Sequence, residues 1–345
     1  MADSSQEVIT SKNSPMPGGL RALRLLIRFT LAMIIMAGAV FHAGCAKDKP
    51  VTLRIGTNVW PGYEPLYLAR SLGFYENAGI KLVEYPSTSS VIRAYKNNVI
   101  EVAAVTMDEA LLLAEDDRAG HVILIADFSN GADAVIAKPG IDSISALKGK
   151  RVGVETTALG AYMLSRSLES AGLSPKDVSV DPIEINKHEN AFKDGLVDAV
   201  VTFDPVREKL VAAGGKSLFD SSQMPGEIVD VLYISRDVLD KNGEAVNALV
   251  RGWFRALDYL QKNPADAARR VASREKMEPD EYLNTLKGIR FPGIKENLAL
   301  LSGSDPAFLR GAKTLAKVMK EKNLLRADID PARLVNQSVV SRASQ

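Results

Sequence analysis

The amino-acid sequence predicts an α/β protein in which two doubly wound lobes enclose a cleft and a helical third follows. Short apolar strands alternate with helices from Val51 onward, which is typical of parallel sheets covered by helices on both faces. One pattern occurs twice, as AAVTMDEA from Ala103 and as AVVTFDPV from Ala199. This repeat indicates two lobes of similar order rather than one continuous sheet.

Each lobe is predicted to begin with a strand and to continue as strand and helix in turn. In the first half, strands are expected at 51–57, 80–85, 102–105 and 121–126, with helices at 65–72, 89–96 and 111–115. In the second half, strands are expected at 150–154, 178–185, 199–201 and near Leu218, with helices at 158–171, around 191–194 and up to Ala213. The runs before the twin motifs are short, continuous and rich in Val, as in strands buried on both faces.

The twin motifs mark the carboxyl ends of equivalent strands. Asp108 and Asp204 begin the next helix, and Pro205 suits the first helical position, where its missing N–H costs nothing. Ligands bind at this edge of open parallel sheets. Two such edges that face each other would form a cleft between the lobes.

The C-terminal third shows helical periodicity. Apolar residues from Val246 to Leu260 follow the spacing of one buried helix face, with Trp253 expected in the core. Further helices are predicted from Pro264 and over 305–324. The polar stretch 331–345 is expected to be a loose tail.

The N-terminal region is predicted to be a lipoprotein signal peptide over 1–44, followed by a tether over 45–50. Three arginines precede an apolar run, 29–41, that is shorter than the roughly 20 residues of a membrane span. HAGC resembles a lipobox, in which Cys45 would be acylated, although His42 replaces the usual aliphatic residue. An uncleaved anchor, a plain secretory signal and a start at Met16 instead of Met1 remain alternatives.

Composition excludes several kinds of function. The net charge of +1 over 345 residues gives no nucleic-acid footprint. With three His and one Cys, no metal site, internal disulfide or cysteine chemistry is expected beside an acylated Cys45. No motif for a nucleotide cofactor or a serine nucleophile is present. No cofactor and no enzymatic activity are therefore expected.

Four segments resemble the substrate-binding proteins of ABC importers of the nitrate, sulfonate and taurine type, which are related to thiamine-precursor binding proteins. They are NVWPGYEPLYLARSLGFYENAGI, DFSNGADAVIAKPGI, SALKGKRVGVE and MPGEIVDVLYISRDVL, starting at Asn58, Asp127, Ser145 and Met224. The resemblance implies a type II periplasmic binding fold, in which the chain crosses twice between the lobes. It also implies an exported, lipid-anchored monomer that delivers a small solute to a permease and its ATPase.

The resemblance places lobe I at 51–131 plus 235–330 and lobe II at 132–234. The crossings are expected near 129–135 and near 231–235. Two other functions stay open. One is a sensor subunit that presents the solute to a membrane receptor. The other is an enzyme of the thiamine-pyrimidine type, although the cysteine-rich motif of that enzyme is absent.

The candidate contact residues follow the predicted strands at the cleft edge. They are Asn58, Trp60, Tyr63, Ser87, Thr88, Ser89, Thr106, Asp108, Glu155, Thr156, Thr157, Phe203 and Asp204. The aromatic residues could instead pack against a lobe, and the hydroxyl and Asp side chains could serve only as helix caps. The cleft loops, counted with Glu64, carry acids and no Lys or Arg. This favours a small organic solute that contains nitrogen or sulfur and is neutral, zwitterionic or cationic over a free dianion.

Overall fold

The computed structural model describes residues 52–75, 78–115, 120–155, 158–303 and 305–345. The predicted signal peptide, the tether and Cys45 lie outside these residues. Within them, no helix combines the length and the apolar character needed to cross a membrane.

The strands are short, and most are buried. They are β1 Leu53–Thr57, β2 Ile80–Glu84, β3 Val102–Thr106, β4 Gly120–Ser129, β5 Asp133–Ala137, β6 Arg151–Val154, β7 Ser179–Pro182, β8 Ala199–Phe203, β9 Lys216–Asp220, β10 Val229–Ser235 and β11 Ile289–Arg290. Every residue of β3 and of β5 is buried, because these strands are covered on both faces.

The α-helices of the first two thirds alternate with these strands, and the others follow them. They are α1 Glu64–Ser71, α2 Thr88–Lys96, α3 Met107–Ala114, α4 Ala158–Glu169, α5 Ile185–Lys193, α6 Val206–Ala212, α7 Arg236–Lys241, α8 Gly243–Lys262, α9 Pro264–Val271, α10 Pro279–Thr285, α11 Ile294–Leu301, α12 Ala307–Glu321 and α13 Ser338–Ala343.

Two sheets form the centres of the two lobes. The first lobe contains a six-stranded sheet in the order β11-β4-β10-β3-β1-β2, and the second contains a five-stranded sheet in the order β7-β6-β8-β5-β9. In each sheet three parallel strands are followed by one antiparallel strand, which is β10 beside β3 and β5 beside β8. The predicted α/β fold with two doubly wound lobes is confirmed.

The chain leaves the first sheet after Ser129 and returns to it before Val229. β10 pairs with β3 and β4 from its first residues, so the return lies earlier than the predicted 231–235. The reason is that the strand itself belongs to the first lobe, and the loop before it makes the crossing.

The C-terminal helices pack on the first lobe. α8 buries the predicted apolar face, and Trp253 has no exposed surface. The prediction of a loose tail over 331–345 is wrong, because Val339 and Val340 of α13 are fully buried. The N–H of Val122 in β4 also donates to the carbonyl of Leu334, at 2.7 Å.

Candidate functional site

The carboxyl ends of the strands in both lobes meet around one small cavity of about 20 Å³, which is room for about one water molecule. Its described lining is Asn58, Trp60, Tyr63, Thr88, Thr106, Glu109, Asp133, Leu159, Phe203 and Asp230. Contributions from both sheets make it the predicted cleft with the lobes in contact. A solute larger than water requires the lobes to separate or side chains to shift.

The predicted contact residues divide into three groups. Those that line the cavity are Asn58, Trp60, Tyr63, Thr88, Thr106 and Phe203. Those that are described but lie beside it are Ser87, Ser89, Asp108, Glu155 and Asp204. Thr156 and Thr157 lie outside the described residues.

An aromatic pair joins the lobes across the cavity. The rings of Trp60 and Phe203 meet edge to face, with centroids 5.6 Å apart at 88°. The indole Nε1 of Trp60 donates to Asp127 Oδ2 at 3.3 Å. A Cβ at Gly62 would lie 2.2 Å from Trp60 Nε1 and 2.3 Å from Asp127 Oδ2, so only glycine lets this loop approach so closely.

A chain of buried acids lies behind the aromatic pair. The hydroxyl of Tyr63 donates to Asp230 Oδ1, and Asp230 lies opposite Asp127 in the β10–β4 strand pair. Burial raises the pKa of Asp127 to about 7 and the pKa of Asp230 well above its usual range, with repulsion from Asp127 adding to the rise. Asp127 Oδ1 has no hydrogen-bonding partner among the described residues. The pair therefore holds a proton near neutral pH and leaves an acceptor oxygen unused.

Each lobe also supplies one further acid to the cavity lining, Glu109 from the first lobe and Asp133 from the second. Burial raises the pKa of Asp133 to about 7, while a hydrogen bond with Ser129 lowers it and repulsion from Asp204 raises it. Glu109 lines the cavity and accepts the N–H of Thr106 at 3.1 Å, as in a capping box. The described lining contains no Lys or Arg, and so carries an excess of carboxyl groups.

The acids that line the cavity are not the ones predicted from the sequence. Asp230 lies opposite Thr106 in the β10–β3 pair, and Asp133 lies opposite Phe203 in the β5–β8 pair. Each twin motif therefore ends beside a buried Asp of the neighbouring antiparallel strand. The available sequence signal was a single Asp near the start of an otherwise apolar strand, in DAVIA and in VDVLYIS.

Two acids of the predicted cleft loops instead pair with arginines that lie outside those loops. Glu64 is buried against Arg274, with Nε 3.3 Å from Oε1. Asp204 pairs with Arg207, with Nη2 3.0 Å from Oδ2, and accepts the N–H of Glu208 at 3.2 Å. Neither acid lines the cavity. Each carboxylate is held beside it by an ion pair with its arginine.

The remaining predicted acids and serines lie around helix N-termini. Asp108, in the first turn of α3, is buried, and burial raises its pKa to about 6. Ser87 Oγ accepts the N–H of Ser90 at 3.2 Å as the N-cap of α2. Ser89 donates its N–H and its hydroxyl to Glu155 Oε1, both at 2.8 Å. Across the described ranges, no group of three or more His, Cys, Asp or Glu side chains is placed to hold a metal ion.

Curated proteins similar to this chain include proteins described as binding proteins. A putative binding protein of Brucella abortus is 24% identical over 319 residues, covering 88% of this chain and 95% of the relative. A putative aliphatic sulfonates-binding protein of Escherichia coli is 23% identical over 248 residues, covering 70% and 76%.

Solved structures share the fold. The alkanesulfonate-binding protein of Xanthomonas axonopodis, bound to MOPS, matches with a TM-score of 0.67 at 18% identity, covering 86% of this chain and 98% of that one. The nitrate-binding protein of Synechocystis matches with a TM-score of 0.70 at 13% identity, covering 86% and 89%. The desulfurization enzyme DSZB matches with a TM-score of 0.62 at 16% identity, covering 85% and 98%.

The NMT1/THI5-like family model matches residues 60–267. The match spans the cleft residues from Trp60 to Asp230 and continues into α9. It covers more than half of the chain, which confirms the predicted family: the chain belongs to the NMT1/THI5-like family.

Proposed function

We propose that this chain is the extracytoplasmic solute-binding component of an ABC importer, which captures a small solute between its lobes and delivers it to the permease. The cleft supports this proposal because both lobes contribute polar and aromatic side chains to one cavity. The relatives named as binding proteins support it as well. Contacts from both lobes exist together only when the cleft is shut, so the solute stabilises the closed arrangement.

The solute we propose is a small nitrogen-containing molecule that is neutral, zwitterionic or cationic. The observation that carries this choice is the set of carboxyl groups of Asp133, Asp230 and Glu109 in a described lining without Lys or Arg. Once any of these carboxyl groups loses its proton, it would repel an anion bound 4 Å away by about 4 kcal/mol at an effective dielectric near 20 and attract a cation by a similar amount. The rings of Trp60 and Phe203 suit stacking or a cation–π contact with an amine or amidine group.

Export and anchoring complete the proposal. Acylation of Cys45 would hold the lobes at the outer face of a bacterial membrane, near the permease. One acyl chain anchors a protein only marginally, and lipoprotein processing adds more than one. A sensor subunit would carry the same sequence features, and the neighbouring genes distinguish the two roles. A permease and an ATPase indicate import, whereas a lone kinase indicates sensing.

We propose no catalytic role, although the match to DSZB shows that this fold also serves an enzyme. The described lining offers carboxyl, hydroxyl, amide and aromatic groups and contains no Cys, His or Lys. These groups can hold a solute by hydrogen bonds and stacking without a nucleophile of the thiol or amine type.

A thermal-shift panel tests the proposed solute class. It contains nitrate, an alkanesulfonate, taurine, alkylamines, guanidinium compounds and aminopyrimidines. An amine, guanidinium or aminopyrimidine at 100 times its dissociation constant should stabilise the protein by about 2.7 kcal/mol. Asp230→Asn should weaken this effect, whereas Asp194→Asn, at an exposed position of the second lobe, should not. Stabilisation by nitrate or the sulfonate that survives Asp230→Asn would contradict the acidic cleft.

A further inference from the structure

One carboxylate crosses the cleft and joins the two lobes. Glu155 follows β6 of the second lobe and is only 5% exposed. Its Oε1 accepts the N–H and the hydroxyl of Ser89 in the first turn of α2, which belongs to the first lobe, both at 2.8 Å. Its Oε2 accepts the N–H of Ile185, the first residue of α5 in its own lobe, at 3.2 Å. Both oxygens are thus bonded, one to each lobe.

The two helices that meet at Glu155 are equivalents of each other. α2 lies between β2 and β3, and α5 lies between β7 and β8, in sheets with the same local strand order. A helix N-terminus presents unpaired N–H groups and the positive end of the helix dipole, both of which favour an anion. The chain itself therefore supplies the anion at the point where both lobes could hold one.

We propose that Glu155 is an internal anion that latches the lobes together and excludes anionic solutes from the paired N-termini of α2 and α5. The proposal rests on these contacts and not on the identity of the solute. It gives Glu155 a role in specificity, since a nitrate or sulfonate would have to displace a carboxylate that already satisfies these donors. It also gives Glu155 a role in setting the equilibrium between the open and closed arrangements.

A second bridge between the lobes provides a matched control. Arg93 of α2 pairs with Glu184, Nη2 to Oε1 at 3.2 Å, and their side chains are 60% and 32% exposed. Exposed ion pairs contribute little to stability because water screens them, whereas charged hydrogen bonds in buried sites contribute more. Removing Glu184 should therefore change the lobe equilibrium much less than removing Glu155.

Distances between the lobes test the latch. Spin labels can be placed at Val99→Cys and Leu196→Cys, which are 48% and 60% exposed, in the full chain with the lone Cys45 changed to Ser. Glu155→Ala should raise the ratio of open to closed molecules by about tenfold or more. Glu184→Ala should raise this ratio by about threefold or less. Ser89→Ala, which removes only the hydroxyl donor, should give a smaller shift in the same direction. An unchanged distance distribution in folded Glu155→Ala and in Ser89→Ala would overturn the latch.

Sulfate tests the exclusion of anions. At constant ionic strength, sulfate should raise the melting temperature of Glu155→Ala and leave the wild type and Glu184→Ala unchanged. Equal shifts in all three proteins, or no shift in Glu155→Ala, would overturn the exclusion. The thermal-shift panel of amines and sulfonates on the wild type is a separate measurement. A wild-type protein stabilised by sulfonates would contradict the proposed solute class, whereas failure of the latch would leave amine binding intact.

Discussion

Replacing Asp133 by asparagine is expected to stabilise the folded protein above pH 7, because asparagine mimics the protonated carboxyl group that burial favours. Asp133 is 3% exposed in the first position of β5. Burial raises its pKa from 3.8 to about 7. At pH values between 3.8 and about 7, the folded protein therefore keeps a proton on Asp133 that the unfolded chain has lost.

The magnitude follows from linkage between protonation and folding. A shift of about 3 pKa units corresponds to about 4 kcal/mol. The free energy of unfolding of the wild type should fall by up to this amount as the pH rises from about 4 to about 7, and the contribution is constant outside this window. Asp133→Asn lacks the titrating group. The variant should therefore match the wild type near pH 4 and exceed its stability by up to about 4 kcal/mol at pH 8.

Urea denaturation followed by circular dichroism at several pH values between 4 and 8 measures this difference. The pH dependence of the difference is the decisive quantity, because fixed effects of the asparagine side chain cancel in it. Asp194→Asn, at an exposed position of the same lobe, should show no such dependence. A difference between Asp133→Asn and the wild type that is the same at pH 4.5 and pH 8 would refute the reasoning. A confirmed difference would mean that the protein retains a destabilising carboxyl group, as expected of a binding residue.

Three further predictions concern binding, anchoring and the C-terminus. A cationic solute should bind more tightly as the pH rises from about 6 to 8, because the carboxyl group of Asp133, which lines the cavity and has a pKa of about 7, must lose its proton to pair with the solute. Calorimetry in buffers of different ionisation enthalpy should show proton release, and a pH-independent affinity would count against the pairing. Cys45→Ser should abolish the added acyl mass of the native protein in intact-mass measurements, and a wild-type N-terminus elsewhere than Cys45 would end the lipoprotein prediction. Val340→Ala should lower the free energy of unfolding by about 2 kcal/mol, because the fully buried side chain of Val340 loses about two methylene equivalents. An unchanged urea midpoint would instead support the prediction of a loose C-terminal tail.

Much of the cleft could be predicted from short-range patterns. Strand ends are marked by the change from an apolar run to a helix cap, so Trp60, Thr106 and Phe203 could be placed at the edge of the sheet before the structure was known. All three line the cavity. The orientation of an acidic side chain at the same edge could not be predicted in this way, because Asp204 and Glu64 form ion pairs with arginines that the tertiary packing places beside them.

The sequence by itself determined the two α/β lobes, the family and the aromatic half of the cleft, because strand periodicity, helix caps and the twin motif depend on neighbouring residues. Tertiary structure alone decided which acids face the cavity. Asp230 meets Tyr63 across 167 residues of chain, and Ser89 meets Glu155 across 66. These contacts depend on the pairing of antiparallel strands and on the approach of two lobes, and no local pattern encodes either. The acidic character of the cleft was therefore expected from the loops that follow the strands, whereas the residues that create it had to be found in the fold.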